Sequence, residues 1–399
     1  MKTLLVLAAG PLQLPAITTA KRLGLRVVAV DGNPGAPGLA LADVGKVVNL
    51  LDPDACLAVA RAERVDGIIH ICTEVAMPAL GRINQELGLR GIDMANAARA
   101  TNKAKMRRAF ERGQAPSPQS IAADTLTEAL SAVERLGFPV IFKPSRNSGS
   151  RGVTRVGPED ARRELLAEAF AYALRESRDA SVVVEQFVEG PEFSVEILVW
   201  NGQPRVLAVT DKVTTGAPSY VEVGHSQPSL FPEADQQQVV DAALRGVKAL
   251  GIDWSAAHAE VRLSPGGPFL MEIGARLGGD FITTELVPRS TGIDMVAGAI
   301  RLALGEEPDL TPRHPPQGAA IRYLAPPPGR VVGIQGVAEA RSMPGIKLVE
   351  VLVRPGDAVP EMKSSLARAG HVIAEGTTAG AAIAAAERAR DAIVIAIVR

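Results

Sequence analysis

At 399 residues the chain has length for two to three domains and a sizeable core, and its net charge of -1 argues against the basic footprint of a nucleic-acid binder. Aromatic residues make up only 4%, too few for base-stacking platforms, and the two cysteines, Cys56 and Cys72, form no metal spacing and suit a reduced, cytoplasmic chain. The apolar run in "MKTLLVLAAGPLQL" is too short to span a membrane and reads as a first strand, so no membrane association is expected.

Residues 1 to about 100 alternate short apolar strands with helices. "TLLVLAA", "LRVVAVD", "GKVVNL" and "VDGIIHI" read as strands, with helices at "LPAITTAKRLG" and "DACLAVARAER". Such a βαβ series implies a parallel sheet. Asp31 ends the second strand, where a dehydrogenase places its ribose-binding acid. The first turn, Ala9-Gly10-Pro11-Leu12-Gln13, lacks the glycine fingerprint and argues against that reading.

From about 100 the pattern changes. A basic helix, "ATNKAKMRRAFERG", opens behind Thr101 or Asn102 as N-cap. A helix near "LTEALSAVERLG", the strand "FPVIFKPS", a Ser/Gly loop, a helix and the strand "SVVVEQFV" follow. "EFSVEILVW" and "QPRVLAVTDKV" then form a hairpin through Asn201-Gly202. The Pro-rich "EEPDLTPRHPPQG" marks a boundary, and the remainder is strand-rich, ending in an Ala-rich helix and the strand "DAIVIAIVR".

Two segments carry phosphate-type chemistry. In "FKPSRNSGSRGV" the strand residue Lys143 precedes a loop of Ser148, Gly149, Ser150, Arg151 and Gly152. Small residues let backbone N–H groups approach phosphate oxygens and the lysine supplies a point charge, although a flexible surface loop has the same composition. In "VVVEQFVEGPEFSVE", Glu185, Gln186, Phe187 and Val188 offer backbone and apolar contacts suited to an adenine. Glu192, a few residues on, could take the ribose hydroxyls; ordinary exposed acids are the alternative.

The most informative stretch is "HAEVRLSPGGPFLMEIGARLGGD", residues 258–280. A loop of Ser264-Pro265-Gly266-Gly267-Pro268 sets Leu263 against Phe269, Val261 against Met271 and Ala259 against Ile273, all apolar. Glu260 then faces Glu272, and His258 faces Gly274, on the other side. Opposed like charges roughly 5 Å apart at Cβ are destabilising unless a cation such as Mg²⁺ joins them. A solvated face screened by Arg262 is the competing reading.

The ordered set of Lys103, Lys143, Glu185-Gln186-Phe187-Val188, Gly190-Pro191-Glu192, Lys212, Glu260 and Glu272-Ile273-Gly274-Ala275-Arg276 resembles the ATP-grasp superfamily of carboxylate–amine ligases, over nearly the whole chain. Its closing part looks like that of the dipeptide-forming L-amino acid ligases, with likeness also to biotin carboxylase-like and formate-dependent purine enzymes. The resemblance implies an α/β and α+β chain. A Rossmann-like pre-ATP-grasp domain would span 1–100, the ATP-grasp domain 101–312 with a lid at about 115–188, and a strand-rich C-terminal domain 313–399.

It implies ATP as cofactor, with Lys103 and Lys143 on the phosphates and Ser148, Ser150, Arg151 and Gly152 folding over them. Glu185 with Gln186, Phe187 and Val188 would frame the adenine, and Glu192 the ribose. Glu260 and Glu272 would hold Mg²⁺ or Mn²⁺. Gly274 stands where the family often has an asparagine ligand. Arg276 and Lys212 would act on the reacting groups, and Arg322, in the closing part, is a candidate substrate contact, a surface arginine being the alternative. From the residues themselves, Asp280 or Glu285 faces the amine, with solvated acids as the alternative, and His225 contacts substrate or is simply exposed. The expected reaction joins a small-molecule carboxylate, an amino acid, to an amine through an acyl-phosphate, in a homodimer. A purine-pathway or carboxylase-type enzyme and a non-catalytic nucleotide-binding protein are the alternatives.

Overall fold

The computed structural model describes residues 1–217 and 219–398. Thr3–Leu7 (β1), Arg26–Asp31 (β2), Val44–Val47 (β3) and Gly67–Ile69 (β4) form a parallel sheet in the order β3-β2-β1-β4. Every residue of β1 is buried because both faces are covered: Leu5 and Leu7 enter one core, Leu4 and Val6 the other. Asp31 accepts the backbone N–H of Ala9 at 2.7 Å and of Asn33 at 2.8 Å, so this acid ties the first turn to the second strand.

Ser120–Ala123 (β5), Val140–Pro144 (β6), Thr154–Val156 (β7) and Val182–Gln186 (β8) make a second, antiparallel sheet in the order β5-β8-β6-β7. The helices Leu126–Leu136 and Arg163–Glu176 pack on it through Ala129, Val133, Phe170 and Ala173. The first of these opens with a full capping box between Thr125 and Glu128.

The strands Glu192–Trp200 (β9), Gln203–Thr214 (β10), Glu222–Gln227 (β11), Ser255–Ser264 (β12) and Gly267–Gly274 (β13) come next. Gly318–Leu324 (β14), Gly329–Gln335 (β15), Ile346–Val351 (β16), Ala358–Val359 (β17), Gly370–Gly376 (β18) and Val394–Val398 (β19) close the chain. A sheet of order β13-β12-β9-β10-β11-β14-β18-β16 runs unbroken past the Pro-rich stretch, since β11 pairs with β14. The remaining sheet is β17-β15-β19. The closing helix extends through Ala392, so the last strand starts only at Val394; Arg399 lies outside the described residues. Among the described residues no helix is long and apolar enough to cross a membrane.

β12 and β13 correct the expected hairpin in part. His258 pairs with Gly274, Ala259 with Ile273 and Glu260 with Glu272, as the alternation requires. Beyond Glu260 a β-bulge intervenes: Val261 pairs with Leu270, Leu263 with Pro268 and Ser264 with Gly267. Thus the turn holds two residues, Pro265 and Gly266, and Met271 is the additional one. The bulge puts Leu270 fully in the core and leaves the Met271 carbonyl to accept Arg107 Nη2 at 2.8 Å.

Candidate active site

A cleft of about 410 Å³ is lined by residues from the β5-β8-β6-β7 sheet and the large sheet. Lys103 reaches it from the start of the helix Lys103–Arg112, whose N-cap is Asn102, accepting the Lys105 N–H at 2.8 Å. The Lys103 backbone N–H donates to Ser145 O at 2.9 Å and its Nζ to Asn147 O at 3.0 Å, which fixes this helix against the loop after β6.

Lys143 on β6 pairs with Glu185 on β8 at 2.8 Å. Glu185 is fully buried, and Arg107 Nε sits 2.7 Å from its other oxygen. Burial alone would raise this carboxyl, yet Arg107 and Lys143 hold it down at about 2. Glu185 therefore stands at the cleft wall with its carboxylate committed to two cations. Beside it the Phe187 N–H donates to Pro139 O at 3.0 Å, and Val188 O accepts Arg262 Nη1 at 3.0 Å. The Phe187 ring lies under the guanidinium groups of Arg155 and Arg262, at 5.2 and 5.3 Å.

Ser148, Ser150 and Arg151 line the cleft; Gly152 does not. Its φ is +76°, and a Cβ there would lie 2.6 Å from Pro144 Cγ, so glycine is needed for the loop to pass β6. Arg151 folds inward onto Asn147 Oδ1 at 2.7 Å and Ser148 O at 3.1 Å.

On the opposite wall Glu260 and Glu272 face the cleft, each already paired with a lysine: Lys212 at 2.8 Å and Lys103 at 3.0 Å. Lys212 also meets Glu192 at 2.7 Å and Glu222 at 3.6 Å, and Arg262 meets Glu192 at 2.9 Å. Ligand oxygens of Glu192, Glu222 and Glu260 lie within 4.8 Å of one another, and the Lys212 ammonium contacts all three. Burial opposes ionisation of Glu260, but Lys212 and His258 keep it well below the usual carboxylate range.

Arg276 and Asp280 complete the wall. Arg276 Nη2 lies 3.4 Å from Glu74, whose carboxyl is pushed up to about 7 by burial and then by the charge of Glu272. Asp280 differs from the expected free acid. Arg368 binds both its oxygens, at 2.7 and 2.8 Å, and His225 Nε2 is 3.2 Å away. Asp280 and Phe281 adopt left-handed φ values of 53° and 62°, a costly pair of conformations that Tyr323 helps retain by donating to Asp280 O at 3.2 Å.

Glu285 and Arg322 are not brought into the cleft. Glu285 pairs with Arg289 at 2.6 Å, and Arg322 pairs with Glu387 at 3.0 Å. Glu74, Glu222, Arg368 and Arg107 were not singled out in the sequence; only Arg107, one helical turn after Lys103, had a local signal.

Residues 136–285 match the model of the ATP-grasp domain, and residues 322–398 that of L-amino acid ligase C-terminal domain 2. A formate-dependent phosphoribosylglycinamide formyltransferase of Burkholderia pseudomallei is 30% identical over 359 residues, 86% of this chain and 85% of that protein. The chain belongs to the ATP-grasp family. An uncharacterized protein of Sinorhizobium fredii is 29% identical over 318 residues, 79% of this chain and 65% of its own. The L-amino acid ligase of Bacillus licheniformis shares the fold, with a TM-score of 0.85 at 24% identity, covering 100% of this chain and 99% of that one. The chain spans less than two thirds of the length of the first curated relatives it matches, 65%, 27% and 64%.

In an ATP-grasp site the donor set also fits a hard divalent cation: two opposed carboxylates, Glu260 and Glu272, face one cleft. A Cβ at Gly274 would sit 3.0 Å from Arg276 Cζ, so a side chain there would require the guanidinium to give by a few tenths of an ångström.

His258 underpins this ATP-grasp wall. Its Nδ1 is 2.7 Å from Glu196 and its Nε2 3.6 Å from Glu260. Burial would lower its pKa, but Glu196 and Glu260 raise it from 6.5 to about 9. His258 therefore keeps its proton in the fold where the unfolded chain has lost it. That contribution, on the order of 3 kcal/mol, is complete below pH 6.5 and disappears as pH rises through about 9. Thermal unfolding followed from pH 6 to 10, on the wild type and His258→Gln, should show this loss in the wild type alone.

Proposed function

We propose that the chain is an ATP-dependent, ADP-forming ligase that joins an amino acid carboxylate to an amine, with a second amino acid as that amine. What carries the reading is Arg368. It belongs to the segment matching the L-amino acid ligase C-terminal domain, and it enters the cleft to clamp Asp280 beside Arg276.

In this reading Lys103 and Lys143 bind ATP phosphates, and the Ser148–Arg151 loop closes over them. The backbone of 186–188 and the Phe187 ring flank the base. Glu260 and Glu272 would hold Mg²⁺, which would supply charge neutralisation for phosphoryl transfer. The acyl carboxylate attacks the γ-phosphate, giving an acyl-phosphate and ADP; the amine then displaces phosphate. Arg276 stabilises the charge on the acyl group, and Lys212 keeps Glu192 and Glu260 ionised side by side, while burial and the neighbouring acids raise Glu222. No covalent protein nucleophile is required, because the site works by positioning and charge.

A second reading, a formyl- or carboxyl-activating enzyme of the purine type, is favoured by the 30% identity to the formate-dependent formyltransferase. ADP release across a panel of substrates separates the two. Release that needs two amino acids supports the ligase, release with formate or bicarbonate in place of the acyl amino acid supports the second reading, and no release with any substrate overturns both.

A further inference from the structure

The cleft lining includes a set of apolar side chains remote in sequence from Phe187 and Val188: Leu12, Cys72, Ile282 and Leu366. They come from four separate segments, and each is tied to one turn, Gly279–Asp280. Cys72 lies against Gly279, where an added Cβ would meet Cys72 Cβ at 3.0 Å, and its N–H donates to Leu277 O at 3.1 Å. The Ile282 N–H donates to Gly279 O at 2.9 Å. Leu12 is placed by Gln13, whose Nε2 donates to the carbonyl of Ile71, the neighbour of Cys72, at 2.8 Å. Leu366 is placed by Arg368, which binds both oxygens of Asp280 and turns back through Nε to Ser365 O at 2.9 Å.

The turn that carries Leu366 also shows where along the cleft this set lies. A Cβ on Gly149 would be 3.2 Å from Ser365 Oγ, so Leu366 follows a residue that lies against the Ser148–Arg151 loop. The set therefore stands between that loop and Asp280, at the end of the cleft that the ligase reading gives to the reacting groups.

The surroundings suit an apolar ligand group. Arg368 and Asp280 neutralise each other, and burial pushes the Cys72 thiol up to about 11, so it stays an uncharged group. Leu366 is 80% exposed and Leu12 41%, while their neighbours Ala367 and Gln13 are buried. The backbone is thus anchored on either turn and leaves a leucine side chain open to the cleft. Apolar surface held in this way gains free energy when an apolar group covers it.

We propose that Leu12, Cys72, Ile282 and Leu366 form the side-chain pocket for an amino acid substrate and restrict it to apolar side chains. That the ligand is an amino acid rests on the ligase reading; the preference for an apolar side chain rests on these four residues. Leu12 and Leu366 are the specificity-determining pair, because they carry the open apolar surface.

Calorimetric titration of the full chain, saturated with Mg²⁺ and ADP, tests the pocket without turnover. The probes are leucine and asparagine, which are nearly equal in size. Leucine should bind at least about tenfold more tightly. Leu12→Asn combined with Leu366→Asn should remove that difference while the affinity for ADP and the melting temperature stay unchanged. Equal affinity of the wild type for both probes, binding of neither, or an unchanged preference in the double variant overturns the proposal. ADP release keeps the two readings apart. Release with two amino acids but a preference for asparagine upholds the ligase and overturns the pocket. Selective leucine binding with no release from any pair upholds the pocket and overturns the ligase.

Discussion

Replacing Glu272 by glutamine is expected to reduce ATP-dependent turnover at least about 10³-fold while leaving the fold intact. The amide keeps the size of the side chain and can still meet Lys103, now 3.0 Å away. It cannot supply the negative charge that, with Glu260, suits the cleft wall to a divalent cation. Stability should fall by less than a full buried-pair loss: Lys103 loses its charged partner but keeps the amide oxygen, and the repulsion that helps push Glu74 up to about 7 is relieved. The measurement is ADP release against Mg²⁺ concentration, with the melting temperature as control. Normal turnover in a folded Glu272→Gln protein would sink the metal assignment.

The largest stability effect is expected at Arg107, which no phosphate contact requires. Arg107 bonds both oxygens of Glu185, at 2.7 and 3.1 Å, and the Met271 carbonyl at 2.8 Å. It thereby ties the helix Lys103–Arg112 to β8 and to the bulge of β13. Arg107→Met leaves Glu185, which is 0% exposed, with Lys143 as its sole cation partner among the described residues, at 2.8 Å. Removing one partner of a buried pair costs about 3–5 kcal/mol, mostly for the charge left behind. Urea unfolding of Arg107→Met should show a loss of that size, and Arg107→Met with Glu185→Leu should recover part of it. A single variant within about 1 kcal/mol of wild type would mean that the pair is weaker than its burial implies.

These two residues also mark what the sequence made legible. Glu272 could be set against Glu260 because strand alternation has a period of two and a misregister would have buried charge. The βαβ opening, the Asn201-Gly202 turn, with φ of 50° and 68°, and the Asn102 cap followed from equally local rules. The bulge at Met271 did not. Nothing in "GPFLMEIG" shows that one residue will fall out of the pairing, and five turn-forming residues hid a two-residue turn. The contacts that complete the site were hidden for a different reason. Arg368 meets Asp280 across 88 positions, from opposite parts of one eight-stranded sheet, and Arg276 meets Glu74 across 202, from two different sheets, so each pair exists only once the tertiary fold is assembled. A motif reading could identify Asp280 as near the reacting groups. It could not reveal that a C-terminal arginine neutralises it.

In the proposed ligase reaction this cleft activates a carboxylate by phosphorylation before an amine captures it. The direct measurement uses an amino acid whose carboxylate carries heavy oxygen, with ATP, Mg²⁺ and the amine partner, and mass analysis of the phosphate released. One carboxylate oxygen bonds to the γ-phosphorus in the first step and leaves with phosphate in the second. Inorganic phosphate bearing one heavy oxygen, formed together with the amide and ADP, is the predicted result. Amide formation with unlabelled phosphate would contradict it.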